Sequence, residues 1–324
     1  MSEGIRSGVN CTRANFHLNA ADSALTMSVL ASPGTPTNSA CDSVSAQVRR
    51  LEEELGSDLF QRMKGNLTLT PAGEALLPYA RRILADVDAA SSELLATGSQ
   101  VRGRLALGAT PSLTATLVPP VLARFHTAYP AVDLVLREAG SVDLVAALED
   151  GALDVALVIL PVRHEALRTQ PLVREELVVT VARGHPLARR RTISVADLRD
   201  VPMVMFREGY DLRSATEAAC HAAGFAPTFA VEGGEMDGVL RLTAAGLGAA
   251  IVPSLVVEPR GPLHAIRFAR SALTRTIGLA YRRDRGLSRA AQELVETMRA
   301  LVRDRSWLKT SPPGLVVLRT PSPE

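Results

Sequence analysis

The spacing of apolar and polar residues divides the chain into stretches of different character. Residues 1–42 are rich in Ser, Thr, Asn and Ala and hold no sustained period, and a breaker cluster, Ser32-Pro33-Gly34-Thr35-Pro36-Thr37-Asn38, lies inside them. No stable helix is expected there. From Ser45 to Leu55 the period changes. Val48, Leu51 and Leu55, three and four residues apart, predict a helix with one apolar face, stopped by Gly56. Phe60 to Leu69 reads as a short hairpin turning at Lys64-Gly65-Asn66. Thr70 then caps, and Pro71 opens, a long helix, since proline is tolerated at a first helical position. Leu76, Ala80, Ile83, Val87 and Leu94 form its narrow apolar seam, flanked by Leu77, Leu84 and Leu95. Such a seam suits pairing with a second copy. Pro78, in the third turn, predicts a kink.

Beyond Gly98 the pattern alternates. Strands are expected at Leu105–Gly108, Val132–Arg137, Asp154–Leu160, Leu177–Ala182, Pro202–Phe206, Thr228–Val231, Ala249–Pro253 and Thr276–Tyr281. Helices fit between them at Leu117–Ala128, Val142–Glu149, Leu212–Ala223, Met236–Ala245 and Ser288–Val302. Alternation of this kind predicts an α/β fold with parallel, doubly wound sheets. After residue 305 the chain is Pro-rich and is expected to form a flexible tail.

Composition narrows the function. At 324 residues the chain has room for about two domains, and its net charge of +2 leaves DNA contact to a local basic patch. Three cysteines, Cys11, Cys41 and Cys220, make no disulfide framework and fit a reducing cytosol. No apolar stretch is expected to span a membrane, and no secretory signal is recognisable, so the expected location is cytoplasmic.

Residues 43–84, SVSAQVRRLEEELGSDLFQRMKGNLTLTPAGEALLPYARRIL, resemble the second half of a LysR-type winged helix-turn-helix and its linker helix. Val-Ser-x-Gln-Val-Arg-x-Leu-Glu-x-x-Leu-Gly, Leu-Phe-x-Arg and Leu-Thr-Pro-Ala-Gly carry the likeness. It continues through RLALGATPSLTATLVPPVLARFHTAYPAVDL, LEDGALDVAL, LVVTVARGHPLA and AAGLGAAIVP, covering roughly residues 43–300. The resemblance implies a partial winged helix-turn-helix at 43–70, a linker and dimerisation helix at 71–98, and an effector-binding domain at 101–304. That domain would comprise two Rossmann-like subdomains of the type 2 periplasmic-binding-protein kind, I at 101–165 and 266–304 and II at 170–262, with crossings near 162–176 and 262–268. Implied partners are double-stranded DNA, a small-molecule effector and further copies in a dimer or tetramer. No cofactor or metal is implied.

By the same resemblance the recognition helix spans roughly Asp42–Leu55, with Ser43, Ser45, Gln47, Arg49 and Arg50 on or near its exposed face. Gln and Arg can each make paired hydrogen bonds to a base edge. Arg62, Lys64 and Asn66 on the wing, and Thr70 at the next helix start, would meet phosphates. Taken alone, SAQVRRLEEELG favours an ordinary amphipathic surface helix; the succession of helix, hairpin and long helix reverses that preference toward the DNA reading. The likeness departs at residues 1–42, which do not match the family's two preceding helices. A frameshift, a mis-assigned start or a truncation would account for this. Without those helices Val48 and Leu51 lose their cover, and operator binding is expected to be weak or absent.

Three loops would line the effector cleft. The first contributes Thr110, Ser112 and Leu113, the second Ser141 and Val142, and the third, Met205–Asp211, contributes Phe206, Gly209 and Tyr210. Met236 would close the pocket, and Arg207 and Arg213 hint at an organic acid. Helix capping explains any one of these hydroxyls equally well; their convergence carries the reading. A ligand touching both subdomains would change their relative angle.

Other chemistries find little support. Gly246-x-Gly248 precedes a strand, so it cannot cradle a dinucleotide. The six histidines lack metal-ligand spacing, and no Gly-x-Ser-x-Gly elbow occurs. A buried Cys220 is expected rather than a redox switch. The chain is read as a regulator rather than an enzyme, with a ligand sensor that has lost DNA binding as the alternative.

Overall fold

A computed structural model describes residues 39–63, 66–95, 101–269, 273–305, 307–308 and 314–318. Within the long second helix, between Ile83 and Leu84, the chain divides into two compact units.

The first unit begins with α1 (Ser39–Leu55), followed by the hairpin β1 (Phe60–Met63) and β2 (Asn66–Leu69) and the start of α2 (Pro71–Leu95). α2 runs on past Pro78. Its joints are polar and local. Glu52 Oε1 accepts from the amides of Leu59 and Phe60 at 2.8 and 3.1 Å, tying α1 to the hairpin. Thr70 closes the other end: its hydroxyl donates to the Asp58 carbonyl at 2.5 Å and accepts from the Gly73 amide at 3.1 Å. Gly73 itself lies so close to the Leu59 carbonyl that a Cβ would sit 2.1 Å from that oxygen. Only glycine permits this approach, which gives the Thr-Pro-Ala-Gly run a steric reason.

The second unit holds two lobes. Lobe I is built from β3 (Gly103–Ala109), the short α3 (Pro111–Thr114), α4 (Val118–Ala128), β4 (Val132–Glu138), α5 (Ser141–Glu149) and β5 (Val155–Leu160). The chain then enters β6 (Leu167–Ala182), a 16-residue strand that runs through both lobes. Lobe II adds β7 (Thr192–Ile193), β8 (Met203–Phe206), α6 (Asp211–Ala222), β9 (Phe229–Gly234), α7 (Met236–Ala244), β10 (Ala250–Pro253) and β11 (Leu263–Phe268). β12 (Thr274–Arg282) and α8 (Arg289–Asp304) return to lobe I, and β13 (Val316–Val317) ends the described chain.

In lobe I the strand order is β4-β3-β5-β12-β6-β13, with β3 parallel to β4 and β5 and the remaining pairs antiparallel. Alternate residues face opposite layers. Leu105, Leu107, Leu157 and Leu279 pack with α4 and α8, while Ala106, Ala156, Val158 and Ala280 pack with α5. Cover on both faces explains why these strands are continuously apolar. In lobe II, residues 177–182 of β6 lie between antiparallel β10 and β11, and β7 runs parallel beyond β11. The parallel pair β8–β9 is joined to this sheet by a bridge from Met203 to Ala249.

Several expectations are corrected. The sheets are mixed rather than wholly parallel, because the chain crosses between lobes as extended strand and the returning β11 and β12 must run against β6. The strand expected at Leu177–Ala182 begins ten residues earlier, at Leu167. The return crossing lies between Phe268 and Thr274 rather than at 262–268, since Ile266 and Phe268 belong to the lobe II core. The segment expected as a flexible tail is partly docked. Trp307 is buried in the lobe I core, β13 pairs with Val173 and Arg174, and the Leu318 amide donates to the Leu172 carbonyl.

At the crossing sits a buried ion pair. Arg275 on β12 faces Glu175 on β6, and both its Nε (2.9 Å) and Nη2 (2.7 Å) donate to Glu175 Oε1. Arg275→Met, which strands a buried carboxylate, is expected to cost about 3–5 kcal/mol. Urea denaturation of the second unit's transition in the full chain will read this, and a loss below about 1 kcal/mol would contradict it. Gly73→Ala should cost on the order of 1–3 kcal/mol through forced displacement of the α2 start, seen as an earlier loss of helical circular dichroism from the first unit.

Candidate functional site

The expected effector loops emerge at the carboxyl ends of β3, β4 and β8, where ligands of open α/β sheets sit. Two of them meet across the lobes. Ser141 Oγ, at the start of α5 in lobe I, donates to Asp211 Oδ2 of lobe II at 2.7 Å, and the Ser141 amide approaches the same oxygen at 3.4 Å. Ser141 Oγ also accepts from the Ile159 amide at 3.0 Å, which fixes its position on the β5 end. Beside this bridge, a Cβ on Gly140 would stand 3.1 Å from the Gly209 carbonyl. Gly209 has φ +79°, the left-handed conformation that lets the loop turn back toward lobe I.

The first loop reaches the seam through the ion pair. Ser112 Oγ accepts from Arg275 Nη2 at 2.7 Å, and Glu175 Oε2 accepts from the Leu255 amide of lobe II at 3.3 Å. A chain of hydrogen bonds therefore runs from the β3–α3 loop through Arg275 and Glu175 to the other lobe. Thr110 is buried nearby in sequence, with its hydroxyl unpartnered.

On lobe II, Tyr210 is buried and stacks on Phe206, ring centroids 5.0 Å apart at 7°. Its hydroxyl is buried, with Glu235 as its polar neighbour. Burial, then the charges of Glu235 and Glu138, push its pKa well above the usual tyrosine value, so the phenol stays neutral. Arg207 lies over its ring at 5.5 Å and donates to Glu235 at 2.6 Å.

A cavity of about 1340 Å³ opens between the lobes. Pro111, Thr114, Glu138, Trp307 and Leu308 contribute from lobe I, and Met236, Leu240, Ser254 and Leu255–Pro259 from lobe II.

The structure therefore brings Ser141, Gly209 and the Tyr210 loop together at one seam and places Met236 on the cavity wall. Other expected residues stand elsewhere. Leu113 is wholly buried in the lobe I core and Val142 is 74% exposed. Arg207 and Arg213 do not offer free charges to an acid: Arg207 pairs with Glu235, and Arg213 with Glu217 and Glu232. Glu175, Arg275, Ser254, Trp307 and Leu308 went unforeseen. Asp211 stood at the end of the third loop as a helix-start carboxylate. Trp307, the one tryptophan of the chain, was the apolar signal in an otherwise tail-like stretch. Glu175 and Arg275, a hundred residues apart, leave no local trace.

In the first unit Ser45, Gln47, Arg49 and Arg50 are exposed on α1, and Arg50 pairs with Glu54 at 3.0 Å. Both Thr70 groups expected to meet phosphate are engaged internally, the hydroxyl as above and the amide on the Leu59 carbonyl at 3.0 Å. Lys64 lies outside the described residues, as do the side chains of Ser43, Arg62 and Asn66.

Residues 98–303 match the LysR substrate binding domain family, and residues 40–74 match the bacterial regulatory helix-turn-helix protein family of lysR type. The transcriptional dual regulator GltC of Bacillus subtilis (strain 168) is 30% identical over 256 residues, 78% of this chain and 85% of that protein. Among solved structures, a full-length OxyR variant from Pseudomonas aeruginosa superposes with TM-score 0.67 at 27% identity, covering 80% of this chain and 88% of that one. Full-length CbnR in complex with its target DNA gives TM-score 0.60 at 25% identity, covering 80% and 89%.

Asp211→Ala removes the bridge between the lobes. Faster hydrogen exchange at residues 139–143 and 207–212 is expected, by roughly tenfold for a lost bond of about 1.4 kcal/mol; unchanged exchange would show that the bridge does not hold the lobes.

Proposed function

The chain belongs to the LysR family of bacterial transcription regulators, and from that premise we propose that α1 and its wing read double-stranded DNA while a small molecule between the lobes sets their angle. The observation that supports this most directly is the Ser141–Asp211 bridge, a hydrogen bond between the lobes that a change in their angle would break. A ligand that prefers one lobe angle shifts the population toward it, and an oligomer converts that angle into the spacing of its DNA readers. Self-association would use α2, whose Ile83, Leu84 and Val87 are each more than half exposed. The effector is bound, not turned over, and the protein works in the cytoplasm, where its DNA is.

On α1, Gln47 and Arg49 are the proposed base readers, with Ser45 and Arg50 beside them. The signal is not oxidation of Cys220. That thiol is buried, and burial, with Glu217, pushes its pKa up, so it lacks the exposed thiolate that peroxide attacks.

A second reading is favoured by α1 itself. Leu51 and Leu55 are 42% and 48% exposed, an apolar face without cover among the described residues. A helix-turn-helix buries that face; were it left uncovered, the chain would be a ligand sensor whose operator recognition is lost.

One titration separates the two. Double-stranded fragments enriched by the protein from a random pool are titrated by fluorescence anisotropy at several salt concentrations. The regulator reading expects affinity that falls steeply with salt, and a further loss of about 1–3 kcal/mol for Gln47→Ala or Arg49→Ala on the enriched sequence only. Failure to enrich any sequence, with equal weak binding to all DNA, would establish the sensor reading instead.

A further inference from the structure

Two adjacent carboxylates stand on β6 at the crossing. Successive residues of a strand face opposite sides, so Glu175 and Glu176 point apart. Each takes a guanidinium from the returning chain. Glu175 takes Arg275, as described. Glu176 takes Arg267 of β11, in lobe II, through two parallel bonds: Nε donates to Oε2 at 2.9 Å and Nη2 to Oε1 at 2.7 Å. A bidentate pair of this kind is directional, so it holds only while the carboxylate keeps its orientation. Gly314 lies against that carboxylate. A Cβ on Gly314 would fall on Cγ, Cδ and Oε1 of Glu176, far inside contact distance, and the residue has φ +73°, so fit and conformation both favour glycine.

Gly314 belongs to a segment beyond the LysR substrate binding domain match, which ends at residue 303. The segment is fastened on both sides of Gly314. Before it, Trp307 is buried in the lobe I core. After it, Leu315 and Val317 pack against the same core, Val316 and Val317 pair with Arg174 and Val173, and the Leu318 amide donates to the Leu172 carbonyl. Thr276 and Ile277 of β12 pair with the same two residues of β6, so β13 takes the other edge. Its ladder is short and Val316 is half exposed, features of an element that opens locally at small cost.

We propose that the segment after α8 is a strap on the hinge. Docked, Gly314 backs Glu176, Glu176 grips Arg267, and lobe II is restrained from the face opposite the Arg275–Glu175 pair. With β13 released, Glu176 is free to turn, its grip on Arg267 loosens, and the Ser141–Asp211 bridge opens more often. The strap sets the stiffness of the hinge whatever ligand fills the crevice, which makes it a point of control separate from the effector loops.

Hydrogen exchange on the full chain tests this. Gly314→Val puts a branched side chain where Glu176 stands and should free β13. Exchange at residues 315–318 should rise by about fivefold or more, and exchange at 139–143 and 207–212 should rise with it by about threefold. Arg267→Gln cuts the link beyond the strap: it should leave 315–318 protected yet speed 139–143 and 207–212 by a similar factor. The double variant should go no further than the larger single effect, because the two contacts act in series. Trp307, the one tryptophan in the chain, reports on the strap's anchor. Its emission should stay that of a buried indole in both variants; a shift to an exposed indole extends the release to the anchor and requires at least the same response between the lobes. Continued protection of 315–318 in Gly314→Val would overturn the proposal. So would unchanged exchange at 139–143 and 207–212 in either variant, or full additivity in the double. The Arg267 side chain is 51% exposed, so Arg267→Gln is expected to fold, and it decides the matter if Gly314→Val does not.

Discussion

Glu175 and Arg275 are the only buried charged residues among those described, and they sit where the chain passes from one lobe to the other. Removing two charges from water is unfavourable unless each is fully bonded. Here each is. Arg275 gives two donors to Glu175 and shares one with Ser112, and the second oxygen of Glu175 takes the Leu255 amide. Those four residues come from the turn after β3, both crossing strands and lobe II. The pair therefore does more than fasten two strands. It sets where the first loop stands relative to the opposite lobe, and neither partner can move alone without stranding a charge.

Around this fixed crossing, the other interlobe contacts are lighter. Ser141 and Asp211 make one bridge, with Gly140 and Gly209 in close approach beside it. A strong hinge with a weak latch is what a ligand-set angle requires, since binding energy of a few kcal/mol must be able to decide between positions of the latch without disturbing the hinge. The cavity lies between the two, lined by side chains from both lobes and from the segment after α8.

The first unit is organised differently. It has little buried apolar surface among its described residues, Leu59 being its one buried large side chain. Its shape comes from local polar closure, Glu52 on the hairpin amides and Thr70 on Asp58 and Gly73, with glycine at the tightest approach. Exposed Leu51 and Leu55 on α1, and Ile83 and Leu84 on α2, mark faces whose cover lies outside these contacts.

Periodicity and turn chemistry determined most elements of this protein. The hairpin, α2 and five later helices lie where spacing, caps and breakers put them, because those signals act over a few residues, whereas α1 begins at Ser39, inside the stretch expected to hold no helix. The motif runs at 43–84 and beyond carried the family for the same reason: short-range steric demands such as Gly73 against Leu59 fix residue types in order. Strand pairing and burial were decided only in three dimensions. The length of β6, the late return crossing and the docking of Trp307 and β13 depend on partners up to a hundred or more residues away, and nothing local distinguishes a tail from a strand that finds an open edge. The site divides the same way. Ser141, Tyr210 and Met236 were legible as loop and helix-start residues, whereas Asp211, Ser254 and the Arg275–Glu175 pair acquire their roles only from what the fold sets beside them.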